Sequence, residues 1–180
     1  MIYCFLADGF EEVEALSPVD MLIRAEKEVK LVGVGSQYIT GSHNITVKAD
    51  ITDDEITLDG SLEAVILPGG MPGTLNLENN TNVQKAIDYC AENGIYLCAI
   101  CAAPSILGHK ELLKNRQAIA FPGFEKDLYG ANISDKHVVT DGKFITAKGA
   151  GVAIEFGLEI VKNVVSPEVS NKIRKSIQCI

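Results

Sequence analysis

At 180 residues, with 47% apolar and 22% charged residues, the chain has the size and composition of one globular domain, residues 1–180, able to bury a substantial core. Its formal charge of −8 argues against nucleic acid as a partner, because polyanion binding draws on basic patches. No apolar stretch approaches the roughly 20 residues of a bilayer span, so no membrane partner is expected.

Met1 leads straight into Ile2-Tyr3-Cys4-Phe5-Leu6-Ala7 and then Asp8, without the basic region and cleavage site of a secretory signal. Five cysteines (Cys4, Cys90, Cys98, Cys101, Cys179) form an odd count without regular spacing, which fits a reducing compartment. A cytoplasmic location is the expectation.

Ile2–Leu6 reads as a strand that ends at Asp8-Gly9. A helix follows, with Val13, Leu16, Val19, Leu22 and Ile23 recurring at spacings of three and four. Pro18 falls inside that pattern, so either the helix kinks near Glu14 or Ser17-Pro18 opens a separate helix. Residues 28–34 read as a second strand, and 38–49 as a hairpin or edge extension around Gly41-Ser42-His43-Asn44. Leu62–Leu67 is a buried strand stopped by Pro68-Gly69-Gly70; after a loop, Asn82–Asn93 reads as a helix closed by Gly94. Ile95–Ile100 is a further strand, and Ala102-Ala103-Pro104-Ser105 starts a helix. Short β-like runs follow at Gln117–Ala120, His137–Thr140 and Phe144–Ala147, then helices over Val152–Asn163 and Pro167–Ile177. This alternation predicts an α/β fold, a doubly wound and mostly parallel sheet with helices on both faces. There are no internal repeats and no low-complexity linker.

In such sheets the ligand crevice lies beyond the carboxyl ends of the strands, where the loops 8–14, 68–73 and 100–104 converge. The first loop carries Asp8, Glu11, Glu12 and Glu14, carboxylates where a phosphate site would need free amides, so no flavin or nicotinamide cofactor is expected. Gly69-Gly70-x-x-Gly73 lacks the lysine and spacing of a phosphate loop and reads as a tight strand exit. Cys101 stands at the abrupt end of a strand with helix amides ahead of it. Such a setting lowers a thiol pKa from about 8.5 into the range of roughly 3.5–7.5, making it the candidate nucleophile. The alternative is a buried structural cysteine. Glu14 shares a helical stripe with Phe10, Ser17 and Met21 and should be partly buried, with a raised pKa and a proton to share with the sulfur. Glu11 and Glu12, near the helix start, are expected in solvent.

Gly9-Phe10-Glu11-Glu12-Val13-Glu14, Pro18-Val19-Asp20, Leu67-Pro68-Gly69-Gly70, Ala99-Ile100-Cys101-Ala102-Ala103-Pro104 and Gly149-Ala150-Gly151 with Glu155-Phe156 resemble the ThiJ/PfpI superfamily. Within it they resemble the branch of the parkinsonism-associated deglycase, in order across nearly the whole chain. The resemblance implies a flavodoxin-like fold, a homodimer and a reactive cysteine on a nucleophile elbow. It assigns the nucleophile to Cys101, its carboxyl partner to Glu14, and the amides facing the reacting oxygen to Gly70 and Ala102, with Gly69 and His43 as accessory positions. His43 falls where relatives offer an arginine across the dimer. Two departures stand out. Ala102 replaces the histidine that protease-like members carry after the cysteine, and Phe121-Pro122 replaces a His-Pro pair.

The function this implies is cysteine-dependent action on small reactive carbonyls, such as methylglyoxal, glyoxal or their glycated adducts, of the glutathione-independent glyoxalase or deglycase type. A non-enzymatic redox sensor or chaperone using the same oxidisable thiol is the alternative. A cysteine peptidase or amidase loses its general base at Ala102. Cys98-x-x-Cys101 is formally a redox motif, but three residues of strand span about 10 Å, beyond the roughly 7 Å limit for a bridge. His109 is expected at the surface or as a cap, His137 at a strand start, and no metal site is expected.

Overall fold

The computed structural model describes residues 1–179. In chain order it contains β1 (Ile2–Leu6), α1 (Glu12–Arg24), β2 (Val29–Gly33), β3 (Tyr38–Thr40), β4 (Thr46–Lys48), β5 (Ile51–Thr52), β6 (Ala64–Leu67), α2 (Gly73–Asn79) and α3 (Thr81–Asn93). Then come β7 (Tyr96–Ile100), α4 (Pro104–His109), β8 (Gln117–Ala118), β9 (Asn132–Ile133), β10 (Val138–Asp141), β11 (Phe144–Ala147), α5 (Ala153–Val164) and α6 (Pro167–Ser176). Seven strands form one sheet in the order β10-β11-β7-β6-β1-β2-β5, parallel throughout except for the antiparallel β10 at one edge.

β1 lies at the heart of this sheet, pairing Ile2 with Val29 on one side and with Ala64 on the other. Every residue of β1 is buried, and its two-residue period divides them between two cores. Ile2, Cys4 and Leu6 pack with Ala15, Leu22, Phe156 and Val161 of α1 and α5. Tyr3 and Phe5 pack with Val83, Ile87, Ile106 and Leu107 of α3 and α4. Burial on both faces is what a parallel sheet covered by crossover helices requires.

The sheet, the hairpin of β3 and β4, and both C-terminal helices follow the sequence expectation. Helix α1 is continuous across Pro18, so Ser17-Pro18 does not open a second helix. The stretch after Pro68-Gly69-Gly70, expected to be loop, holds helix α2, and two-residue strands appear at 51–52 and 132–133. Helix α4 begins at Pro104 rather than Ala102; residues 101–103 form a turn. Among the described residues no helix is long and apolar enough to cross a membrane.

Candidate active site

Cys101 follows the last residue of β7 and takes φ +64°, a left-handed conformation uncommon for a non-glycine residue and typical of strained functional turns. Two main-chain hydrogen bonds hold it there. Its amide donates to the Ala147 carbonyl at 2.9 Å, and its carbonyl accepts from the Phe121 amide at 2.8 Å. The thiol is hydrogen-bonded to the Glu14 carboxyl, and the amides of Gly70 and Ala102 point at the sulfur.

Glu14 reaches the thiol from α1. Glu11, the N-cap of that helix, accepts the Glu14 amide at 2.7 Å and so fixes its first turn. The Glu14 side chain is 1% exposed, far more buried than its helical stripe suggested. Its Oε2 accepts from the Gly69 amide at 3.0 Å, and the Ala150 amide also donates to the carboxyl. Gly69 is required by the crowding: a Cβ there would lie 2.6 Å from both Cys101 Cβ and Glu14 Oε2. The next residue, Gly70, sits at φ +90°. The glycine pair is thus a strand exit shaped to admit the thiol and the carboxyl.

Burial, partly offset by the Cys101 hydrogen bond, pushes the Glu14 carboxyl up to about 7, with the charge of Glu11 acting in the same direction. For Cys101 the expected lowering is overturned. Burial, then the charge of Glu14 and the hydrogen bond to it, push the thiol up to about 12, against the weaker pull of the Ala102 and Gly70 amides. The six-residue helix α4, displaced by a turn from the sulfur, supplies too little dipole to reverse this. The thiol is therefore not ionised on its own; its proton is tied to the state of Glu14.

Glu12 also departs from expectation. It is buried, not solvated, and its Oε1 accepts the His43 amide at 2.8 Å while Oε2 lies 2.8 Å from His43 Nδ1. Burial raises its pKa, but the hydrogen bonds of His43 and the Ile45 amide outweigh that and hold the carboxyl below its ordinary range. A Cβ on Gly41 would fall 2.3 Å from Glu12 Oε1, so that glycine lets the hairpin close over the carboxylate. His43 is thereby committed to Glu12, with Glu11 Oε1 at 3.8 Å, and is not among the groups around Cys101. The structure thus brings Cys101, Glu14, Gly69, Gly70 and Ala102 together and sets His43 aside.

The other histidines and cysteines fall outside the thiol's contacts. His109 pairs with Glu78 at 2.5 Å, and His137 is exposed. All five cysteines are free; Cys98 is fully buried within β7. Two contacts were not expected from the sequence: the Ala150 amide acts on the Glu14 carboxyl, and the Phe121 amide anchors the Cys101 carbonyl. Both contacts are made by the backbone, which side-chain identity does not reveal.

The DJ-1/PfpI family profile matches residues 1–163. The chain belongs to this family. It is 31% identical over 176 residues to Protein DJ-1alpha of Drosophila melanogaster, covering 96% of this chain and 81% of that protein. It is 32% identical over 158 residues to Deglycase PfpI of Pyrococcus furiosus, covering 87% of this chain and 94% of that one. Among solved structures, Drosophila melanogaster DJ-1beta superposes with a TM-score of 0.92 at 27% identity, over 99% of this chain and 97% of that one. The flavodoxin-like α/β architecture expected of a DJ-1/PfpI member is therefore the fold of this chain.

Proposed function

We propose that the protein is a cysteine-dependent enzyme that converts small oxoaldehydes to hydroxy acids without glutathione, or removes their early adducts from other molecules, and that it works as a homodimer in the cytoplasm. The observation that carries this reading is the pairing of the half-buried Cys101 thiol with the buried Glu14 carboxyl, at a loop junction lined by amides. A relative named as a deglycase points the same way.

A carboxyl held near 7 is suited to give and take protons at neutral pH. Glu14 as carboxylate accepts the thiol proton while Sγ bonds to the aldehyde carbon, so the nucleophile is generated as it is used. The carbonyl electron pair moves to oxygen, where the Gly70 and Ala102 amides are suited to oppose the charge. Glu14 returns the proton to that oxygen, giving a hemithioacetal. It then removes the hydrogen from the former aldehyde carbon and delivers it to the neighbouring carbonyl carbon, while the hemithioacetal hydroxyl proton passes to the oxygen of that carbonyl, leaving a thioester of the hydroxy acid. Water hydrolyses the thioester and restores the thiol, so one oxoaldehyde and one water become one hydroxy acid.

Purified protein should consume methylglyoxal with formation of lactate, and Cys101→Ser and Glu14→Gln should each lower kcat/KM by about 10²-fold or more. Full activity in either variant removes this mechanism. A redox-sensing role is favoured by the same pair, since a carboxyl that is half protonated near neutrality can donate a hydrogen bond to a sulfinate at Cys101. Selective oxidation of Cys101 by dilute peroxide with negligible methylglyoxal turnover would support sensing in place of catalysis.

A further inference from the structure

A cavity of about 360 Å³ is lined by Phe121, Pro122, His137, Lys148, Val152 and the backbone of Gly149–Gly151. Its walls are mostly apolar. Three features tie it to Cys101. Lys148 follows Ala147, the residue whose carbonyl accepts the Cys101 amide and which pairs in register with Ile100, so Lys148 and Cys101 leave adjacent parallel strands side by side. Phe121 is anchored to the Cys101 carbonyl through its amide. Gly149, in the cavity wall, also adjoins the carboxyl: a Cβ there would lie 3.2 Å from Phe121 Cδ2 and 3.9 Å from Glu14 Oε1.

Lys148 is half-buried, and among the described residues no carboxylate lies within ion-pair distance of it. An ammonium partly withdrawn from water beside an apolar wall gains more from an anion than an exposed lysine does. The exposed face of Phe121, in the same wall, favours a flat apolar group.

We propose that this cavity seats the substituent of the carbonyl substrate and selects oxoaldehydes whose substituent is a flat apolar group ending in a carboxylate, with Lys148 taking the carboxylate and Phe121 the flat face. The inference rests on the aldehyde-processing reading above and uses the same bond changes at Cys101. It gives a role to Phe121, the position where the family resemblance implied a histidine. Here the side chain supplies surface instead of a proton.

The test compares 4-carboxyphenylglyoxal, phenylglyoxal and methylglyoxal as substrates of wild type, Lys148→Met and Lys148→Arg. For wild type the ratio of kcat/KM for 4-carboxyphenylglyoxal over phenylglyoxal should be about tenfold or more. That ratio should fall to about one in Lys148→Met, most of it returning in Lys148→Arg. A wild-type ratio at or below one, or a ratio that Lys148→Met leaves in place, overturns the proposal while methylglyoxal turnover leaves the enzyme reading intact. If none of the three aldehydes is consumed, the enzyme reading fails and binding still decides the cavity. Calorimetric titration with the unreactive 4-acetylbenzoate should then show at least about tenfold weaker binding in Lys148→Met, and equal or absent binding in both proteins overturns the assignment.

Discussion

Glu14 sets the reactivity of the sulfur in two opposite ways. As a carboxylate its charge and its hydrogen bond hold the proton on Cys101; as an acid it offers a proton that a thiolate would accept. The pair therefore loses its first proton near 7 and holds its second up to about 12. Alkylation of wild-type Cys101 by iodoacetamide should show a small step near pH 7 and its main rise only in strongly alkaline solution. In Glu14→Gln the negative charge is gone while burial remains, so the thiol pKa falls, the step near 7 disappears, and alkylation at pH 8 becomes faster than in wild type even as turnover is lost. Mass spectrometry of the Cys101 peptide against pH checks this. A wild-type thiol titrating wholly below pH 8, or a Glu14→Gln thiol titrating above that of wild type, would show that Glu14 does not control the sulfur. An abrupt strand end and a helical stripe, both local patterns, put Cys101 and Glu14 forward as candidates, and the family resemblance singled them out as a pair. The raised thiol pKa was not legible, since burial and the approach of a residue 87 positions away are properties of the folded chain. Glu12 illustrates the same limit: its partners His43 and Ile45 lie in a separate hairpin, so a carboxylate that reads as solvated is enclosed.

The elements that were legible are those with strong periodicity, and those that escaped lack it. β1 is an uninterrupted apolar run, and α3 carries Val83, Ala86, Ile87 and Cys90 on one buried face between the Asn80 cap and Gly94. Helix α2 contains the poor helix formers Gly73, Asn76 and Asn79, and its leucines, at 75 and 77, stand at a spacing that fits no helical face. The two-residue strands are too short to carry a period of two. Packing between α1 and α5 brings the elements back to the site, because α1 holds Glu14. At their crossing a Cβ on Gly157 would stand 2.7 Å from Pro18 Cα, a backbone atom that cannot swing aside. Gly157→Ala gains about 1 kcal/mol of helix propensity but costs about 1–3 kcal/mol for overpacking. The clash should win, lowering the urea midpoint at unchanged slope and, by shifting α1, lowering methylglyoxal turnover as well. A Gly157→Ala protein more stable than wild type would mean the helices can separate without cost.

At the scale of the whole molecule, α1 has one face in the core and another that is apolar but uncovered. Val13, Leu16 and Ile23 are 49%, 37% and 58% exposed on this helix, and Tyr38 and Ile45 are similarly exposed on the neighbouring hairpin. The hairpin is fastened to the start of α1 by the Gly9 amide to the Thr40 carbonyl and the Ser42 amide to the Phe10 carbonyl, both at 2.8 Å, so the two apolar groups belong to one rigid surface. A two-fold dimer places the same patch on both sides of its interface, and such a patch gains by burying itself against its own copy. A stable interface of this kind removes on the order of 800 Å² from each partner, which requires α1 and the hairpin together and not the helix alone. Light scattering should therefore give twice the 19.3 kDa chain mass at micromolar concentration. Leu16→Glu combined with Ile23→Glu should shift the mass to that of one chain with the far-UV spectrum preserved, because neither side chain is part of the buried face of α1. A wild-type mass of one chain, or a charged double variant that stays paired, would place the contact elsewhere on the molecule or remove it.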